Sequence, residues 1–456
     1  MNKNGELEKE NEQLRAKLKA LHQRQFKANK KKADKETCKT DTRKKNRKRG
    51  APKGHPGWFR RKPDHIDQIV HVSAPTECPH CSCSTLAPVE ESRDHLQEDI
   101  VLQPRTSVTN FKHAQAFCPQ CNKIIIQTAE GELPNCHIGP VTKATAVFLR
   151  YGLRIPYRKV EELFKIVFNM PFVPATAMAF DRTATNKGEP LYEDLKEKVR
   201  AATSIHADET SWRQDGIGHY VWYAGNEDLA LFHIDRHRST VVAQSILGNK
   251  FDGVLNTDGY AAYNGVNARE RQSCLAHLIR KAEEIKKEIL FQKPRFRDPE
   301  SIHFCESIAN LLRKACEINR KKFREDIQPE LTATFEERLY SLLETICMTP
   351  LKDKNAEHFR NRLLNPKKEF HRLFTFLKYP NVEPTNNQAE QSIRNLVIFR
   401  KISFGTRSAD GSRTHSILPS LLLTARRQNQ HPLQFLQTLF TAKPAVAQKA
   451  LFNNSA

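Results

Sequence analysis

Three carboxylates stand in settings that suit metal-assisted chemistry on phosphate esters. Asp208 ends the strand-like run SIHAD, Asp258 ends the apolar run FDGVLNTD, and Glu390 lies in PTNNQAEQSIRNLVIFRKISFG. Like charges held close together repel unless a cation lies between them, and hard cations with oxygen ligands are the agents of phosphoryl transfer. The bland reading is that both aspartates cap the segments that follow them. Around Glu390, Thr385 or Asn386 can cap a helix, and Glu390 and Arg394 then lie one turn apart on one face. That spacing aims a carboxylate at metals and a cation at phosphates, although elsewhere it is an ordinary surface ion pair. Asn387 before it and Arg400-Lys401 after it add weight to the chemical reading.

A second set of groups is sulfur-based. Cys78-Pro-His-Cys81 and Cys118-Pro-Gln-Cys121 are knuckle turns, each able to point two thiolates at one ion, and four sulfurs complete a tetrahedral zinc site. The long segment between them predicts a ribbon with an inserted hairpin. Two unrelated turns with free thiols, or a site in which Cys83 or His80 replaces one ligand, remain open. Eleven cysteines are an odd count, which favours reduced thiols over a disulfide framework. Cys38, Cys136, Cys305, Cys316 and Cys347 read as incidental.

The elements that must position the acids follow from the patterning beyond residue 200. SIHADET, GHYVWYAG and LALFHID read as strands, STVVAQSIL as a helix and FDGVLNTDGY as a fourth strand. Turn signals at Asp215-Gly216 and Gly225-Asn226 make the first three an antiparallel meander, and a helical crossover makes the fourth parallel to one of them. That is the order of a ribonuclease-H-like core, expected over residues 199–425. The 131 positions between Asp258 and Glu390 exceed a bare connection, so residues 282–379 read as a helical insertion. Residues 426–456 read as a helical tail.

Upstream, residues 138–198 carry helical patterns with a turn at Asn169-Met170-Pro171, compatible with a helix-turn-helix in which Arg182 and Lys187 meet phosphates, or with helices that merely pack. Residues 66–137 are the zinc-ribbon-like segment. Leu7, Leu14 and Leu21 recur every seven residues, with Asn4, Asn11 and Leu18 on the seam, so residues 1–26 predict a short parallel coiled coil that pairs two chains, with a merely solvated helix as the bland reading.

Charge decides the class of partner. The chain of 456 residues carries a formal charge of +22, and residues 27–62, within a linker over 27–65, hold sixteen Lys+Arg against Asp34, Glu36 and Asp41. Such a block cannot bury enough surface to fold alone, and each cation set against a phosphate releases a counterion. DNA is the expected partner, with a solvated charge run as the bland reading. No apolar run approaches a membrane span and the beginning is polar, so a cytoplasmic, nucleoid-associated protein with no membrane contact is expected.

Taken in order, these motifs resemble the transposases of the insertion-sequence-66 group, which are bacterial DDE-type enzymes. The resemblance rests on the leucine-rich helix, GHPG with the following Arg and Pro, CPHC and CPQC, HADET, TDGY, CLAHLIRK at 274–281, NNQAEQSIR, and RKISFGTRSADGSR. It implies a multidomain α/β protein whose ribonuclease-H-like core uses Asp208, Asp258 and Glu390 to bind two Mg2+ (or Mn2+) ions. It implies DNA cleavage at element ends and strand transfer to target DNA, by an oligomer with accessory element-encoded proteins. Similar enzymes carry a Cys-x-x-His near the core. Here Cys274 and His277 match, so His277 and Arg280 join Arg394, Arg400 and Lys401 as expected DNA contacts, although a packed Cys and a satisfied core His would give the same letters. Two ligands are too few for a zinc bridge. Thr385 and Gln391 stand where the family usually has an acid and an arginine, and Asn169-Met170-Pro171 replaces a glycine turn. These departures bear on phosphate contacts rather than on the three acids. The competing readings are a non-enzymatic zinc-ribbon DNA-binding protein, an inactivated transposase relative, or a nuclease of the same sheet type that cuts without joining.

Overall fold

The computed structural model describes residues 106–452, with short breaks at 121, 128, 130, 134–135, 326–328 and 380, and the isolated residues 65, 66, 69 and 84. The heptad helix, the basic block and the Cys78-Cys81 knuckle lie outside the described residues, as does Cys121. The second knuckle falls between β1 (Gln115–Cys118) and β2 (Lys123–Ile126), an antiparallel pair whose turn has Asn122 at φ 52°.

A helical layer follows. α1 (Pro140–Val147) starts on a proline and runs into a π-helical turn at Phe148–Gly152. α2 (Tyr157–Phe168) stops at Asn169, whose left-handed φ of 50° provides the C-cap. α3 (Pro174–Arg200) again begins with proline at its first turn, where the missing N–H has no intrahelical role.

The central sheet has five strands, in the spatial order 230–235, 217–225, 204–214, 250–257 and 267–273. β3 (Ser204–Gln214) and β4 (Ile217–Gly225) form a hairpin, joined by Asp215 at φ 51° and Gly216 at φ 77°. Two consecutive positive φ values make the two-residue turn that matches strand twist, as the Asp-Gly pair predicts. β5 (Ala230–Asp235) completes the antiparallel meander, α4 (Thr240–Leu247) crosses over, and β6 (Lys250–Thr257) returns parallel to β3. β7 (Asn267–Ser273) then adds a second parallel pair. The mixed sheet has the ribonuclease-H-like order expected from the sequence, with one strand more. NARERQS escapes a pattern search because Ala268 is its only apolar residue. Its buried Gln272 is satisfied on both sides of the amide, donating to Leu373 O at 3.0 Å and accepting from Phe376 N–H at 2.9 Å.

The helices beyond the sheet divide between two cores. α5 (Leu275–Phe291), α6 (Pro299–Glu325), α7 (Pro329–Ile346) and α8 (Lys354–Leu364) bury Leu278, Ile285, Ile308, Leu312, Leu343 and Phe359 among themselves. Only Val254 of the sheet joins that cluster. α9 (Asn387–Ser403), α10 (Ala409–Arg427), α11 (Pro432–Thr441) and α12 (Pro444–Leu451) return to the sheet, where Leu396, Phe399, Leu421, Leu436 and Phe440 pack with Leu191, Leu195 and Phe232. Gly188 allows α3 to approach α10, since a Cβ there would lie 2.7 Å from Leu421 Cδ1.

α10 also closes one edge of the sheet. Ser416, Ser420 and Thr424 recur every four residues on one face of the helix. They accept hydrogen bonds from the outward N–H groups of Ile234 (3.0 Å), Phe232 (2.7 Å) and Ala230 (3.1 Å) of β5. The β7 edge is covered by residues 370–377, where Thr375 Oγ1 donates to Arg271 O at 2.7 Å. Within the helical layer, buried Asp181 accepts hydrogen bonds from Tyr157 and from Tyr151 at 3.1 Å, and burial pushes its carboxyl up to about 7. Arg150 lies between the Tyr157 and Phe399 rings, 4.3 and 4.2 Å from their centroids. Among the described residues, no helix is long and apolar enough to cross a membrane.

Candidate functional site

β3 pairs with β6 only from Ser204↔Val254 to His206↔Asn256, after which β6 ends and β3 continues alone beside β4. Asp208 is therefore in the middle of an eleven-residue strand, not at its end as the sequence predicted. The functional consequence is unchanged, because the parallel neighbour ends there. Asp258 is the first residue past β6, in register with Asp208 two places beyond the last pair. Gly259, at φ 89°, turns the chain immediately afterwards. Each aspartate gives one oxygen to the local backbone: Asp208 Oδ1 accepts from Glu209 N–H at 2.8 Å and Asp258 Oδ1 from Tyr260 N–H at 2.9 Å.

Glu390 comes from the first turn of α9, and its placement depends on Asn386. That residue is the N-cap but its side chain makes no capping bond. It is fully buried and reaches β3 instead, donating from Nδ2 to Ala207 O at 2.8 Å and meeting His206 Nδ1 through Oδ1 at 3.1 Å. The preceding loop is fixed by Asn256, whose Nδ2 donates to Glu383 O at 2.7 Å, and by Leu275 N–H, which donates to Pro384 O at 2.9 Å. The carboxylate of α9 is thus held against the strand that carries Asp208. His206 and Asn386 were not singled out as site residues in the sequence. The available signal is that His206 and Asp208, two apart on a strand, share a face.

The electrostatics report the proximity of all three acids. Asp208 is raised from 3.8 to about 7, first by burial and then by the charges of Asp258, Glu209 and Glu390. Glu209 itself is already neutralised. Its side chain is 1% exposed, pairs with Arg238 at 2.5 Å and accepts from Tyr263 OH at 2.8 Å. By contrast, among the described residues no lysine or arginine pairs with Asp208, Asp258 or Glu390, and Glu390 Oε1 is buried without a partner. Three carboxylates with no lysine or arginine partner among the described residues, in a chain of charge +22, form a donor set suited to hard divalent cations.

A fourth and a fifth group adjoin Glu390. Cys274 caps α5, His277 follows one turn on, and ligand atoms of Cys274, His277 and Glu390 all lie within 4.8 Å of one another. The sequence offered two ligands here; folding adds a third. The expected phosphate contacts divide. Arg280, Arg394 and Lys401 are exposed on α5 and α9, whereas Arg400 donates from Nη1 to Ser211 O and to Ser211 Oγ at 2.6 Å. Arg400 is thereby an anchor of α9 on β3 rather than an open cation. Lys187, expected at phosphate, donates to Phe440 O at 2.5 Å, while Arg182 is exposed.

The chain matches the family model described as "Transposase IS66 family" over residues 135–414, which includes the five-stranded sheet, all three acids and the helices between them. It is 26% identical over 280 residues to the uncharacterized protein y4qI of Sinorhizobium fredii, covering 55% of this chain and 50% of that protein. It is 22% identical over 405 residues to the uncharacterized protein y4hP of the same organism, covering 82% of this chain and 72% of that one. The chain thus spans half the length of the first relative.

Proposed function

Because the chain belongs to the IS66 family of transposases, we propose that it cleaves DNA at element ends and joins the freed 3′-hydroxyl to target DNA, with Asp208, Asp258 and Glu390 as its catalytic triad. The observation that carries this reading is the group of three carboxylates at the end of β6, unpaired with any lysine or arginine among the described residues. These residues would hold two Mg2+ or Mn2+ ions. Bound there, the cations supply charge neutralisation at the attacking and leaving oxygens of an in-line displacement. Asp208 and Asp258 keep their orientation through one backbone hydrogen bond each, which leaves the second oxygen of each for a ligand. Asn386 sets the position of Glu390. Arg394 and Lys401 on α9, and Arg280 on α5, are exposed cations that would orient the phosphate backbone, with His277 beside them.

The remaining parts fit this activity. Cys78, Cys81, Cys118 and Cys121 would hold a structural Zn2+ in a ribbon that, with the basic block, engages element ends. The heptad helix would bring two protomers together, as the pairing of two ends requires. The helical layer over 138–198 packs on the sheet and would contribute to DNA binding through Arg182.

The test is a donor plasmid carrying the gene with its native flanking DNA and neighbouring reading frames, from which new junctions are sequenced for wild type and Glu390→Ala. Joined ends at new sites from wild type alone support the assignment. Joining by both proteins removes Glu390 from the triad. Absence from both despite expression shifts the reading to a DNA-binding or inactivated relative, and cut ends without joining indicate a nuclease.

A further inference from the structure

We propose that Cys274, His277 and Glu390 bind one thiophilic divalent cation, Zn2+ by its ligand chemistry, in a site that adjoins the acidic pair and shares Glu390 with it. Cys274 is buried at the N-terminus of α5, and Asn386 N–H donates to its sulfur at 3.1 Å. The first turn of α5 makes no capping hydrogen bond to this sulfur, and His277 N–H donates instead to Cys274 O at 3.1 Å, while burial pushes the thiol up. The Asn386 N–H is placed to stabilise the sulfur once a cation displaces its proton. His277 is the next residue on that face of α5. Its Nδ1 lies 3.8 Å from Glu390 Oε1, too far for a hydrogen bond, and both atoms are buried with no other partner.

An imidazole and a carboxylate that face each other without bonding leave two desolvated polar atoms unsatisfied, at a cost of about 1–3 kcal/mol each. One ion between them and the sulfur satisfies all three. Zinc bonds of about 2.0–2.3 Å to nitrogen, oxygen and sulfur place tetrahedral ligands about 3.3–3.7 Å apart, so the cluster, whose ligand atoms lie within 4.8 Å of one another, closes by about 1 Å at its widest on binding. Sulfur and imidazole are poor ligands for Mg2+ and good ones for Zn2+. The chemistry therefore separates this position from the one between Asp208 and Asp258. Three protein ligands leave a fourth position open to water or a phosphate oxygen. Glu390 would use Oε1 here and keep Oε2 for the acidic pair, which ties the N-terminal turns of α5 and α9 through one ion.

The inference adds to the triad reading by sharing Glu390, but its test reads metal content and not DNA joining, so the two can fail separately. Full-length wild type, His277→Gln and Cys274→Ser are stripped of metal and titrated with Zn2+ against a chromophoric chelator in excess Mg2+. Any Zn2+ held by Cys78, Cys81, Cys118 and Cys121 is common to all three and cancels in the comparison. Wild type should bind one more equivalent per chain than either variant, or bind it at least roughly tenfold more tightly. With Co2+ as probe, the wild type minus His277→Gln difference spectrum should show a thiolate-to-cobalt band. Should Cys274→Ser unfold, as circular dichroism would reveal, the half-exposed His277 still provides the comparison. Equal stoichiometry and affinity in wild type and folded His277→Gln, with a flat cobalt difference spectrum, overturn the proposal.

Discussion

Asn386 has a larger structural role than its place in the NNQAE motif suggests. Truncating it to alanine leaves His206 Nδ1 and Ala207 O without their buried partner, a loss of about 1–3 kcal/mol. Asn386→Ala should therefore lower the urea midpoint and reduce strand joining together, read by equilibrium denaturation and junction sequencing. Asp208 works in the opposite direction. Its carboxyl is raised to about 7 by burial and by its acidic neighbours, so in EDTA it contributes stability below pH 4 that is lost as pH rises through 7. Asp208→Asn should raise the melting temperature at pH 8 in EDTA by about 2–4 °C while abolishing joining. A lower melting temperature for this variant would contradict the repulsion described here. The two aspartates stood out in the sequence because each closes an apolar, strand-like run, and Glu390 because Asn387 and Arg400-Lys401 flank it. The Asn386 tether and the engagement of Arg400 with Ser211 were not, because both join residues about 180–190 positions apart.

The elements show where patterning fails. Alternation and the Asp-Gly turn were enough to place β3, β4, β5 and β6. β7 was missed because its polar residues are satisfied by the 370–377 segment, a partner invisible to local pattern. The hydroxyl ladder of α10 was hidden in the same way, since Ser416, Ser420 and Thr424 look like an ordinary polar stripe. Ser420→Ala should leave Phe232 N–H without its acceptor and destabilise the protein by about 1–3 kcal/mol. The amide of Phe232 should then exchange faster than that of Leu231, whose own N–H faces β4. Among the helices, Asp181 sets a pH response. Because its carboxyl is pushed up to about 7, it contributes stability below pH 4 that fades as pH rises through 7. His206 and His415, lowered to about 4 and 3, act oppositely, their contribution fading as pH falls below 6.5. The difference between wild type and Asp181→Asn isolates the carboxyl: the variant should gain on wild type between pH 5 and pH 8 in denaturation experiments.

For the whole molecule, charge is unevenly divided along the chain, residues 27–62 supplying +13 of its +22. If that block lies on phosphates, each contact adds about 0.9 to the slope of log affinity against log salt. Deleting 27–62 should flatten the slope of DNA binding, while Asp258→Ala should leave it intact. An unchanged slope on deletion would mean that the block only solvates the chain. The division into two hydrophobic cores has a temporal consequence. Asp208 and Asp258 are 50 residues apart and belong to the sheet, but Glu390 follows 132 residues later, behind helices that bury their own side chains. At roughly 5–20 residues per second, about 7–26 s of synthesis separate the acidic pair from its third member. On the triad reading, a growing chain remains chemically silent toward nearby DNA through that interval, even after its first strands have paired. Any chain interrupted before α9 lacks Glu390, so on the same reading the order of residues along the polypeptide withholds the proposed chemistry until most of the chain has been made.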